Sequence, residues 1–131
     1  MAKEKVLIID EDRSFGQNVQ SELSRAGYEV VLAYNGREGV SAAKREQPQL
    51  ILLDIVMPGL DGFETLTLLR QDPETAGAPV VILTNYLTQE NTRKAKELGA
   101  VDFWIKALHG PNELAQAVTK IFDERHKATA E

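Results

Sequence analysis

Five short apolar runs divide this chain: Val6-Leu7-Ile8-Ile9, Val30-Val31-Leu32, Leu50-Ile51-Leu52-Leu53, Val80-Val81-Ile82-Leu83, and a weaker one from Val101 to Ile105. They are short, rich in β-branched residues and mostly apolar at consecutive positions, the pattern of strands covered on both faces. The segments between them carry helical signals. One helix is predicted from Ser14 to Arg25, with Asp12 near its N-cap and Gly27 just past its end. A second follows Asn35 and stops before Pro48; a third starts near Gly62, carries Phe63, Leu66 and Leu69 at helical spacing, and breaks before Pro73. A fourth, Gln89 to Leu98, is stopped by Gly99, and the last runs from Pro111 to about Arg125 with Leu114, Ala117, Val118 and Ile121 on one face. Strands and helices alternate five times, which implies parallel strands joined by helical crossovers: a doubly wound, three-layer (βα)5 α/β sandwich.

With 131 residues, the chain has the size of one domain with one core, expected to span 1–131 with an ordered part of about 4–126 and no room for an output domain. It has no cysteine, so disulfides, thiolate metal sites and cysteine nucleophiles are excluded. The apolar run after Lys3 and Lys5 ends at Asp10, too short for a signal-peptide core or a membrane span, and a cytoplasmic protein is expected. A net charge of -5 offers no basic field for nucleic acid, so direct DNA binding is not expected.

In an open parallel sheet the working site lies at the carboxyl ends of the strands. Asp10, Asp54, Thr84 and Lys106 each fall at the end of a different predicted strand, so four polar groups scattered through the sequence should meet at one edge. Asp10, Glu11 and Asp54 would bring up to three carboxylates together, a self-repelling cluster unless a proton or a cation intervenes. Few carboxylates with several retained waters suit magnesium better than calcium. Lys106 and Thr84 would add an ammonium and a hydroxyl able to neutralise phosphoryl oxygens, leaving Asp54 as nucleophile.

The stretch Asp54-Ile55-Val56-Met57-Pro58-Gly59-Leu60-Asp61-Gly62 resembles the Asp-x-x-Met-Pro-x-Leu-Asp-Gly signature of response-regulator receiver domains, and the resemblance extends over nearly the whole chain. It implies a stand-alone receiver similar to the chemotaxis receivers, of flavodoxin-like fold with strand order 2-1-3-4-5. On this resemblance Asp54 accepts a phosphoryl group from a histidine kinase or histidine phosphotransfer protein. Asp10, Glu11, Asp54 and the backbone carbonyl of Val56 hold Mg2+. Thr84 and Lys106 complete the phosphoryl site. Thr84 and Phe103 act as the switch, reshaping the face of helix four, strand five and helix five for an output protein not identified by the sequence. The resemblance further implies a monomer or a weak phosphorylation-dependent dimer that catalyses only its own phosphorylation and dephosphorylation.

Three positions depart from the family pattern. Glu11 stands where an Asp is expected, placing its carboxylate one methylene further out. Asn85 replaces a small residue, and Ala107 replaces a proline whose preceding peptide is cis in most receivers; before a non-proline the cis form costs about 2.5–4 kcal/mol. Val56, Asn85 and Tyr86 are expected to shield the phosphoryl group from water. These departures also motivate the competing reading, a phosphorylation-independent receiver-fold scaffold. A phosphatase of the haloacid-dehalogenase type is disfavoured because Val56 replaces the second Asp of its Asp-x-Asp motif, and no phosphate-cradling loop for a flavin follows the first strand. Phe103 and Trp104 should face opposite sides of the sheet. His109 and His126 are expected to be exposed and without function, and Arg93, Lys94 and Lys96 to form a solvated helix face.

Overall fold

The computed structural model describes residues 3–86 and 88–130; Met1, Ala2, Leu87 and Glu131, which the expected span of 1–131 includes, lie outside the described residues. Strands β1 (Lys5–Ile9), β2 (Glu29–Ala33), β3 (Leu50–Asp54), β4 (Val80–Thr84) and β5 (Asp102–Ile105) alternate with helices α1 (Arg13–Arg25), α2 (Gly36–Glu46), α3 (Gly62–Gln71), α4 (Gln89–Glu97) and α5 (Pro111–Ala130). All strand pairs are parallel, and the sheet order is β2-β1-β3-β4-β5. Both the alternation and the carried-over strand order are borne out.

Side chains alternate across the sheet and feed two cores. Leu7, Ile9, Ile51, Leu53 and Ile82 pack with Ala42, Ala43, Leu66, Leu69 and Ala95 from α2, α3 and α4. On the other face Val6, Ile8, Leu50, Leu52, Val81 and Leu83 pack with Val19 and Leu23 of α1 and with Leu114, Val118 and Phe122 of α5. The central strands β1, β3 and β4 therefore have no solvent face, which is why their runs read as unbroken apolar sequence. Each large side chain fully removed from water contributes roughly 1.5–3 kcal/mol. β5 lies at an edge and is only half-buried along Phe103, Trp104 and Ile105, which accounts for its weak signal.

Helix boundaries follow local chemistry. Asp12 caps α1 by accepting the Phe15 N–H (3.1 Å), so the helix begins at Arg13, one residue before the expected Ser14. Asn35 and Thr88 cap α2 and α4 in the same way, and Leu98 is the C-cap of α4, which ends at Glu97. The largest difference is α5, which continues to Ala130 past the expected end near Arg125. The apolar stripe ends at Phe122, but Arg125, Lys127 and Ala128 beyond it are good helix formers, and residues 123–130 hold no Gly or Pro to stop the helix. Val101 falls outside β5, half-exposed, its N–H donating to the Val80 carbonyl (2.8 Å). No described helix is long and apolar enough to cross a membrane.

Candidate functional site

The register of the sheet brings the four strand ends together. Ile9 lies opposite Leu53, so one step further Asp10 stands beside Asp54. Asp54, the last residue of β3, lies opposite Leu83, and Thr84 follows on β4. Thr84 in turn lies opposite Ile105, with Lys106 next along the chain. Asp10, Asp54 and Thr84 are all buried, at 1%, 6% and 0% exposure.

Charge is unevenly satisfied there. Asp10 accepts the Asp12 N–H on Oδ1 (2.9 Å) and the Lys106 ammonium on Oδ2 (2.7 Å), tying residues 96 positions apart. Lys106 Nζ also lies 4.3 Å from the centre of the Phe15 ring, whose face favours a cation. Among the described residues Asp54 has no such direct partner ammonium. Burial, reinforced by the neighbouring Asp10 charge and slightly by Glu11, pushes its carboxyl up to about 6, against the opposing pull of Lys106 and a hydrogen bond from the Val56 backbone. Near neutrality this carboxyl is thus a desolvated, moderately basic group.

The loop after Asp54 is held close beneath it. Asp61 caps α3 in a capping box with Glu64, and the Gly62 N–H donates to the Ile55 carbonyl (2.7 Å). A Cβ at Gly62 would stand 2.4 Å from the Asp54 carbonyl oxygen, so glycine is the residue that fits there. The Asp-Gly pair is thus both a helix start and a packing contact. Ile55 and Met57 are buried while Val56 between them is half-exposed at 48%.

Asp10, Asp54, Thr84 and Lys106 converge, as their strand-end positions predict. Glu11 does not join them as a third close carboxylate: it is exposed, and among the described residues no three His, Asp or Glu side chains are grouped tightly enough to hold a metal ion. Its charge is nonetheless felt at Asp54. The two buried carboxylates, with Asp54 raised by burial and by the Asp10 charge, form a donor set that a small hard cation would relieve, so the residues fit a magnesium held by few carboxylates and retained water.

The Lys106–Ala107 peptide is trans, as are all peptide bonds among the described residues. Asn85 turns its side-chain oxygen onto the Ala107 N–H (2.7 Å), and exposed Tyr86 donates its own N–H to Thr84 Oγ1 (3.0 Å). Phe103 packs toward the α2–α4 face and Trp104 toward the α1–α5 face, opposite sides as expected. His109 and His126 are exposed, but each has an acidic neighbour, Glu113 at 3.7 Å and Glu4 at 3.3 Å. On α4, Arg93 pairs with Glu97 and Lys94 with Glu90, while Lys94 also lies 5.5 Å from the Phe63 ring. Phe15 is the site neighbour that sequence reasoning missed; its only signal was a place in the first turn of the helix after Asp10.

This geometry finds many counterparts among known proteins. The family model described as "Response regulator receiver domain" matches residues 6–119. "Protein PilH" of Pseudomonas aeruginosa is 36% identical over 102 residues, covering 78% of this chain and 84% of PilH. "Probable transcriptional regulator ycf27" of Porphyridium aerugineum is 35% identical over 130 residues, 99% of this chain, which spans only about half (52%) of that regulator. Among solved structures, chemotaxis protein CheY4 of Vibrio cholerae superposes with a TM-score of 0.84 at 31% identity, covering 91% of this chain and 98% of CheY4. A CheY-like receiver domain protein from Methanospirillum hungatei gives 0.87 at 27% identity, over 97% and 99% of the two chains. Signature, strand order and similarity agree, and the chain belongs to the response regulator receiver domains, the signalling modules of two-component systems.

Proposed function

We propose that Asp54 is the phosphoacceptor of this receiver. The observation that carries the reading is a buried carboxylate at the end of the central strand, pushed up to about 6 and set beside the Asp10–Lys106 pair. One Asp54 oxygen attacks phosphorus in line, the phosphorus–nitrogen bond to the donor histidine breaks, and the imidazole nitrogen leaves with the electron pair. Hydrolysis of the acyl phosphate later returns the carboxylate and releases inorganic phosphate. Bound magnesium, held by Asp10, Asp54 and the Val56 backbone carbonyl with Glu11 at longer range, would supply charge neutralisation at the phosphoryl oxygens.

The chain's own groups account for the rest. Lys106, with donors beyond the one given to Asp10, reaches a phosphoryl oxygen. Thr84 accepts the Tyr86 N–H and keeps its own O–H to donate. Drawing Thr84 toward the new anion moves the chain leading into α4, and Phe103 of β5 follows, reshaping the α4–β5–α5 face for an output protein. The donor is a histidine kinase or histidine phosphotransfer protein, and the working compartment is the cytoplasm. The receiver acts as a monomer or a weak phosphorylation-dependent dimer.

Acetyl phosphate with magnesium tests the assignment. Wild type should gain the mass of one phosphoryl group and Asp54→Asn none; equal labelling of both would overturn it. A second reading, a scaffold that works without phosphate, draws on the exposure of Glu11 and the missing third close carboxylate. No labelling of wild type, and no perturbation around Phe103, would favour it.

A further inference from the structure

Among the described residues, one hydrogen bond joins the segments that follow Thr84 and Lys106. Asn85 Oδ1 accepts the Ala107 N–H at 2.7 Å, linking chain positions 22 apart just beyond the last β4–β5 pair, Thr84 with Ile105. The link therefore extends the sheet ladder by one rung made from a side chain. It ties the residue after the hydroxyl to the residue after the ammonium. On the β4 side the same loop is anchored twice more: the Tyr86 N–H donates to Thr84 Oγ1 (3.0 Å), and Asn91 Nδ2, in the first turn of α4, donates to the Tyr86 carbonyl (3.0 Å).

We propose that Asn85 is a positioning residue for phosphoryl acceptance, acting through its hydrogen bond to the Ala107 N–H to fix the spacing of Thr84 and Lys106. This deepens the reading of Asp54 as phosphoacceptor and rests on it. The two departures from the family pattern at these positions are complementary: Ala107 supplies an N–H that proline lacks, and Asn85 supplies an acceptor that a small residue lacks. Without the rung, two loops on separate strand ends would order independently, and each would lose conformational freedom when the phosphoryl oxygens arrive. With it, they are ordered before the donor binds. The alternative role for Asn85 is a simple obstruction, its amide narrowing the donor's path to Asp54.

The two ideas predict opposite signs. Asn85→Ala should slow phosphorylation by acetyl phosphate about threefold, the scale of one exposed hydrogen bond, whereas removal of an obstruction would speed it. In an Ala107→Pro background, where no N–H exists to be accepted, Asn85→Ala should change the rate by less than about 1.5-fold. Independently of phosphate, the Ala107 amide proton of Asn85→Ala should exchange with solvent about fivefold faster. An equal cost in both backgrounds, a faster rate for Asn85→Ala, or an unchanged Ala107 exchange rate would overturn the role of Asn85. A wild type that takes no phosphoryl group would instead overturn the Asp54 reading itself.

Discussion

The two edges of the sheet treat charge in opposite ways. At the amino edge, Lys5 at the start of β1 holds Glu46 at 3.0 Å and Glu29 at 4.0 Å, and Lys44 at the end of α2 holds Asp72 beyond α3 at 2.8 Å. The Glu46 bond raises the Lys5 pKa, the Lys44 bond lowers that of Asp72, and Glu46 is lowered by Arg45 and then Lys5: each group is more comfortable charged than in water alone. Arg70 spends its guanidinium on four carbonyls, those of Ala76, Ala78, Leu98 and Gly99, so that α3 grips the loops that enter β4 and leave α4. At the carboxyl edge the Lys106 ammonium is bonded to Asp10, and the buried Asp54 is left above its ordinary range. The amino edge is built for stability, while the carboxyl edge keeps a buried carboxylate at a cost in stability, the arrangement that the proposed phosphoacceptor role calls for.

That contrast can be broken at either end. The largest effect is expected at Arg70: Arg70→Met should lose roughly 2–4 kcal/mol in urea unfolding, since several partly buried carbonyls lose their donors at once. A loss under about 1 kcal/mol would show that those carbonyls are served equally well by water.

Next comes Asp54→Asn. Because the folded carboxyl titrates near 6 and the free one near 3.8, the folded state keeps a proton that the unfolded state has released between those values. Stability therefore falls as pH rises through this window, and the full cost, roughly 3 kcal/mol at most, is present above it. Asp54→Asn should thus be the more stable protein at pH 8 and lose that advantage by pH 3.5, as read by denaturant midpoints. No gain at pH 8 would erase the distinction between the edges.

The smallest effect is expected at Lys5→Met. Its partners are partly exposed, so the shift in thermal midpoint should be slight and should fade in 1 M salt, where the screening length is about 3 Å. The titration of Asp54, followed by carboxyl NMR, should not move. A shift there would mean that the two edges are coupled through β1.

How far the sequence reaches can be traced residue by residue. The strands of the sheet interior were legible because burial on both faces leaves a continuous apolar record, and Gly27, Gly99 and the caps Asp12, Asn35 and Asp61 mark boundaries by local backbone chemistry. The end of α5 was not, because loss of an apolar stripe ends burial without ending a helix. At the site, the convergence of Asp10, Asp54, Thr84 and Lys106 was legible from strand ends alone. Glu11 was expected with them, but its side chain stays exposed.

What the sequence determined by itself was therefore the elements, the strand edge that carries the polar groups and the signature around Asp54, since periodicity, capping and turn chemistry act within a few residues. Only the tertiary structure decided who holds whom: Lys106 with Asp10, Phe15 beneath that ammonium, Asn85 with Ala107. Those pairings depend on the register between strands far apart in the chain and on which donor reaches a desolvated acceptor first, and no local pattern of residues encodes either.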